Sequence, residues 1–223
     1  MNVTICLPRR GAPIEEHERC LFGLFKRHPD WRPLMLPGPN IDIVRACLVE
    51  TALSEGASVV LFLDGDNTFT VEACEAVVEE AAARLAVVGA LYAQKPSGRP
   101  ALRWHGESLV CYEGGGLYEV MGVGLGVTAI AREVFEGIRL EKKAMNGLLV
   151  RPWFTSDISW DELLPDDDSF CRRAREAGFR VFVDTRHRVG HVGPHEFFLE
   201  DAARAVRPKS LVLTGAEDKK PSG

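Results

Sequence analysis

The chain has no CxxC pair, no zinc-like cysteine spacing, no long uninterrupted apolar run, no internal repeat and no surplus of basic residues. Each absence removes a class of function. Its six cysteines, Cys6, Cys20, Cys47, Cys74, Cys111 and Cys171, are scattered singly. That excludes a cysteine-based zinc module and predicts reduced, mostly buried thiols in a cytoplasmic protein. Met1 to Pro13 holds only a short apolar stretch before Pro8-Arg9-Arg10, so neither a signal peptide nor a membrane span is readable, and a membrane-linked acceptor would be met from the cytoplasmic side. With 27 basic against 32 acidic residues the formal charge is -5, which gives no general pull toward nucleic acid or anionic lipid.

What is present suits one sizeable core: 223 residues, 46% of them hydrophobic. We expect one domain over residues 1–214 and a solvated, mobile tail over 215–223. Val3 to Leu7 reads as a first strand ended by Pro8, with Arg9-Arg10-Gly11 as the loop at its carboxyl end. Val44, Cys47, Leu48 and Ala52 recur at helical spacing, with Gly56 placed to end the helix. Val59 to Leu63 is a continuous apolar run, as in a strand buried on both faces. After Asp64-Gly65-Asp66-Asn67 a second helical pattern passes through Val71, Cys74, Val78, Ala81 and Leu85, and Leu85 to Leu91 reads as the next strand.

This strand, loop, helix, strand order predicts an α/β fold with a mostly parallel central sheet flanked by helices, its ligand at the carboxyl ends of the strands. Gln94 to Leu117, with Trp104, His105 and the glycines ending at Gly116, reads as hairpins or a long functional loop. A strand at Val127 to Ile130, a short helix around Val134-Phe135, a helix over Asp168 to Ala177 capped by Gly178 and a strand at Val181 to Val183 complete the pattern.

Asp64-Gly65-Asp66 carries the first chemistry. In an extended segment the two carboxylates point the same way, and Gly65 lets a ligand approach the backbone. Paired carboxylates suit Mg²⁺ or Mn²⁺, although Asp, Gly and Asn are also ordinary turn residues. An EF-hand is excluded because its sixth position is Phe69 rather than Gly and a strand precedes it. Leu61 to Thr68 also resembles the strand and DxDxT of haloacid-dehalogenase phosphatases, with Asp64 as nucleophile and Asp66 as acid/base. Against this, Val87 to Leu91 offers no Ser or Thr at the next strand end, and Asp166-Asp167-Asp168 opens a helix instead of following a hydrophobic strand.

That later run carries the stronger likeness. Leu164-Pro165-Asp166-Asp167-Asp168-Ser169, continued by Phe170-Cys171-Arg172-Arg173-Ala174-Arg175-Glu176-Ala177-Gly178-Phe179, resembles a segment of GT-A glycosyltransferases, particularly family-2-like ones. The likeness extends through Pro39 to Phe69, Gly89 to Lys95, Met121 to Phe135 and Val189-Gly190-His191-Val192-Gly193. It departs where Asp166-Asp167 replaces a common Glu-Asp and where Arg45-Ala46 replaces a common Arg-Asn.

The resemblance implies a metal-dependent transferase moving a sugar from a nucleotide diphosphate sugar, a UDP-sugar favoured, to an acceptor hydroxyl, with inversion favoured. The acceptor stays open among a glycan, a lipid-linked sugar, a small molecule, a protein and a modified nucleobase. A non-catalytic nucleotide- or carbohydrate-binding protein is the alternative of another class. The implied metal ligands are Asp64, Asp66 and His191, the donor-binding residues Pro8, Arg9, Arg45, Asp64, Gly65 and Asp66, and the base Asp167, with Asp166 second. Helix capping is the structural reading of the acidic run, and at least one of its aspartates is expected to serve it. His187, His191 and His195 fall four apart, but Gly190, Gly193 and Pro194 argue against a helix there. Trp104, Tyr112, Trp153, Phe154 and Trp160 are candidates to stack on a sugar, with core packing expected for at least half.

Overall fold

The computed structural model describes residues 1–12, 14–95, 100–103, 115–145, 147–159, 162–193 and 196–197. Trp104, His105, Cys111, Tyr112, Trp160, His195 and the expected tail boundary near residue 214 lie outside the described residues.

In chain order the main elements are β1 (Val3–Arg9), α1 (Glu15–Arg27), β2 (Arg32–Pro37), α2 (Ile41–Ser54), β3 (Val59–Leu63), α3 (Val71–Arg84), β4 (Val87–Ala90), β5 (Leu117–Glu119), β6 (Val127–Ala131), α4 (Arg132–Gly137), α5 (Asp166–Glu176) and β7 (Val181–Asp184). The strands form one seven-stranded sheet in the order β2-β1-β3-β6-β4-β7-β5. β1 is parallel to β2 and β3, and β4 is parallel to β7. β6 runs antiparallel between β3 and β4, and β5 antiparallel to β7.

Alternate residues of the central strands enter opposite cores, which is why those strands read as unbroken apolar runs. Val60 and Phe62 of β3 pack with α2, α4 and α5 through Leu48, Phe135 and Phe170. Val59, Leu61 and Leu63 pack with α1 and α3 through Leu24, Val77 and Ala81. The protein is therefore an α/β fold with a mostly parallel sheet flanked by helices on both faces, as the sequence predicts. Trp153 and Phe154, read as possible sugar-stacking residues, are fully buried in the first core against Phe135. Among the described residues no helix is long and apolar enough to cross a membrane.

Several local readings need correction. β4 begins at Val87, because Leu85 ends α3 in the left-handed conformation at φ 51° and is half exposed. β1 continues past Pro8 to Arg9, since its outer half pairs only with β2, where Pro8 meets Leu36. The expected βαβ unit is opened by β6, wedged between the strands it should have made neighbours. Among the main elements α1, β2 and the edge strand β5 escape the sequence reading. α1 buries His17, Leu21 and Leu24 at helical spacing, but its cap residue Ile14 makes no side-chain capping bond, so the usual start signal is missing. β2 is an edge strand carrying Pro33 and Pro37, residues that argue against a strand elsewhere.

Candidate functional site

Asp64 to Asn67 follows β3 as a turn closed by the Asn67 amide donating to the Asp64 carbonyl at 3.0 Å. The expected extended segment is thus replaced by a turn, in which the two carboxylates take different hydrogen-bond partners while both line one cavity. Asp64 accepts from Arg45 Nη2 through both oxygens, at 2.8 and 3.1 Å. Asp66 Oδ2 accepts from Lys95 Nζ at 2.8 Å and lies 3.4 Å from His191 Nε2. Gly65 is needed for an internal reason, since a Cβ there would stand 2.5 Å from Arg9 Nη1. The Arg9 guanidinium packs against the turn and donates to Glu18 at 2.9 Å, while its Nε and Nη1 are buried with no hydrogen-bond partner among the described residues. His17, also buried, holds the turn from below, its Nδ1 2.8 Å from the Asn67 carbonyl oxygen.

His191 reaches this turn through sheet pairing, with no helix involved. Gly190–Val192 is a short strand whose His191 pairs with Asn67 and whose Gly190 pairs with Thr68. The Val192 amide donates to the Asp66 carbonyl at 2.8 Å. His191 Nδ1 lies 2.9 Å from the Ala93 carbonyl, which fixes the ring, and Tyr92 stands edge-on at 5.3 Å. The Tyr92 hydroxyl accepts from the Gly126 amide, and Gly124 must lack a side chain because a Cβ would lie 2.2 Å from that hydroxyl.

The acidic run forms the first turn of α5. The cap position itself is Pro165, which makes no side-chain capping bond, and the structural role expected of the run is taken inside the first turn, where the Asp167 carboxylate accepts the Asp168 amide. All three still lie at the positive end of the helix dipole. They are then told apart by partners. Asp166 pairs with Arg45 Nη1, and Asp168 with Arg103 Nε at 3.1 Å. Asp167 makes no ion pair among the described residues and accepts the Asp168 amide at 2.9 Å. Burial first, then the neighbouring Asp166 and Asp168 charges, push its carboxyl up to about 6. Burial alone would raise Asp66 as well, but the hydrogen bonds from His191 and Lys95 hold it well below the usual carboxylate range.

Pro8, Arg9, Arg45, Asp64, Gly65, Asp66, Asp166 and Asp167 all line one cavity of about 350 Å³. His191 is outside that lining and touches it through Asp66. Arg45, expected to meet the donor, is buried and spans Asp64 and Asp166, joining the two acidic motifs. Its charge is fixed by those carboxylates against the cost of burial. Lys95, Tyr92 and His17 carry no assigned role in the sequence reading. For Lys95 and Tyr92 the signal was their position just beyond the carboxyl end of a parallel strand.

Among the described residues no three His, Cys, Asp or Glu side chains gather into a metal cage. Asp66 and His191 nevertheless suit a divalent ion. If Nδ1–H is donated to the Ala93 carbonyl, a neutral ring turns its Nε2 lone pair toward a carboxylate oxygen, and two facing acceptors require a proton or a cation between them.

No protein-family model matches the sequence, and no curated protein matches it. Solved structures do. A197 from STIV is similar at a TM-score of 0.63 and 18% identity, with 86% of each chain covered. The structure of GalNAc-T7 with UDP, GalNAc and Mn²⁺ is similar at a TM-score of 0.56 and 12% identity, covering 92% of this chain and 47% of that one. At such identities the likeness shows the fold, a GT-A-like α/β architecture, and this chain spans about half the length of GalNAc-T7 in that structure.

Proposed function

We propose that the protein is a glycosyltransferase that moves a sugar from a nucleotide diphosphate donor, a UDP-sugar favoured, to an acceptor hydroxyl. The observation that carries the reading is one cavity holding two differently tuned carboxylates. Asp66 is kept ionised beside His191 and Lys95, and Asp167 is raised to about 6 with no ion pair among the described residues. The UDP and Mn²⁺ in the GalNAc-T7 structure favour the same donor class and ion.

In this reading Asp66 and His191 are the residues that would hold Mn²⁺ or Mg²⁺. The ion supplies positive charge against the departing diphosphate. Arg9, which lines the cavity and whose buried Nε and Nη1 have no hydrogen-bond partner among the described residues, is the cation that would turn to the nucleotide. Asp167 takes the proton of the acceptor hydroxyl as that oxygen bonds to the anomeric carbon and the bond to the diphosphate breaks, its electrons leaving with phosphate. A carboxyl near 6 is mostly ionised at pH 7 and basic enough to accept that proton. Single displacement inverts the anomeric carbon. A phosphatase using Asp64 as nucleophile is disfavoured because Arg45 binds both Asp64 oxygens.

Titration calorimetry with UDP in EDTA and then in Mn²⁺, on the wild type, Asp66→Asn and His191→Ala, tests the site. Affinity should rise with Mn²⁺ in the wild type and not in either variant. Equal affinity in EDTA and Mn²⁺ would remove the metal, and tight donor binding with no transfer or hydrolysis of any nucleotide sugar would identify a non-catalytic binder.

A further inference from the structure

Lys95 stands just beyond β4, and its ammonium donates both to Asp66 Oδ2, at 2.8 Å, and to the Val192 carbonyl. The same Oδ2 lies 3.4 Å from His191 Nε2. One carboxylate oxygen therefore faces an ammonium and an imidazole together. The three side chains are 24%, 46% and 17% exposed for Lys95, Asp66 and His191, so solvent and ions reach them.

A divalent ion bound by Asp66 and His191 would sit about 2.0 to 2.2 Å from its ligand atoms. An ammonium still 2.8 Å from the same oxygen would lie no more than about 5 Å from that ion. Two cations at that separation, sharing one carboxylate oxygen, repel each other. Lysine is suited to leaving, being a compact charge on a flexible stem with three rotatable donors. Asp66 lines the cavity proposed for the nucleotide, so an ammonium released from it is within reach of an incoming phosphate.

We propose that Lys95 is the resident counter-ion of the Asp66–His191 pair, displaced when a divalent ion enters and passed to the diphosphate of the nucleotide. The proposal rests on the metal-binding reading of that pair. Lys95 stays protonated throughout, and no covalent bond is made or broken. Metal alone must expel an ammonium from a satisfied pair, whereas metal with nucleotide gives that ammonium a new anion. Each ligand then strengthens the other, by the same factor in both directions.

The test is Mn²⁺ binding, followed by the loss of the free-ion electron paramagnetic signal, with and without UDP. Wild type, Lys95→Met and His191→Ala are compared, and Lys95→Gln serves as a second variant should Lys95→Met melt early. In the wild type UDP should tighten Mn²⁺ binding. Lys95→Met should bind Mn²⁺ without UDP at least tenfold more tightly than wild type, bind UDP in EDTA more weakly, and show a reduced UDP effect on Mn²⁺. Wild-type binding that His191→Ala abolishes, together with unchanged or weaker nucleotide-free Mn²⁺ affinity in Lys95→Met, overturns the counter-ion role and leaves the metal site standing. Absence of Mn²⁺ binding to the wild type with and without UDP overturns the metal site and the counter-ion role together.

Discussion

Asp167→Asn should give a more stable protein that is a poorer catalyst. The Asp167 carboxyl is raised to about 6 from an ordinary 3.8, burial being the largest cause. Because the folded pKa lies above the unfolded one, folding favours the neutral form. The stability this contributes is complete below about pH 4 and is lost as the pH climbs through about 6, leaving a net cost at neutral pH. Raising the carboxyl from 3.8 to about 6 corresponds to about 3 kcal/mol at most, and partial exposure reduces the expected cost to about 1 to 3 kcal/mol. Asparagine removes the charge and keeps an oxygen for the Asp168 amide. For a chain of this length each kcal/mol moves the melting temperature by about 2 to 4 °C, so the variant should melt about 2 to 12 °C higher at pH 8. That gain should vanish by about pH 4. Thermal melts of both proteins at half-unit steps from pH 4 to 8 measure it. A variant that melts no higher than wild type at pH 8, or one whose gain is the same at every pH, refutes the electrostatic reasoning. The same substitution should slow transfer by roughly 10² to 10⁴ while leaving donor affinity nearly unchanged, and it should remove the rise in wild-type rate through about pH 6.

Arg45→Met leaves Asp64 and Asp166 without their shared guanidinium and should cost about 3 kcal/mol or more at pH 7, with a smaller loss near pH 4; a urea midpoint shift worth less than about 1 kcal/mol would contradict the bridging role. Gly65→Ala must move the Arg9 guanidinium and should weaken UDP binding at least about tenfold, whereas in an Arg9→Ala background the same change should do little, a coupling that a double-mutant cycle on UDP affinity reads directly. Asp66→Asn should lower both UDP affinity in Mn²⁺ and turnover, in contrast to Asp167→Asn; intact affinity in the Asp66 variant would separate this carboxylate from the donor.

The periodic elements were legible because their signals are local. β3 and β6 announce themselves as β-branched apolar runs, α2 and α3 by helical spacing, and α5 by an acidic first turn and Gly178 beyond its end. Both acidic motifs were likewise visible, since each is contiguous in the chain. α1 was missed because Ile14 gives no capping signal, and β2 because two prolines disguise an edge strand that needs little ladder bonding.

Which side chains meet was decided by tertiary structure. Asp64 and Asp66 are neighbours in sequence, yet the turn sends one to Arg45 and the other to Lys95 and His191, because a turn breaks the two-residue alternation of an extended chain. Arg45 meets Asp166 across 121 residues because α2 and α5 pack on the same face of the sheet. That pairing and the Arg103 bond to Asp168 single out Asp167, a distinction that three adjacent aspartates do not carry in their sequence. Composition and periodicity determined the layers and the ends of the strands where a ligand would bind. Charge partners depend on register and burial between segments far apart in the chain, so only the folded sheet assigned Asp64, Asp166 and Asp168 to arginines and Asp66 to a lysine and a histidine, and left Asp167 half-buried with no ion pair among the described residues.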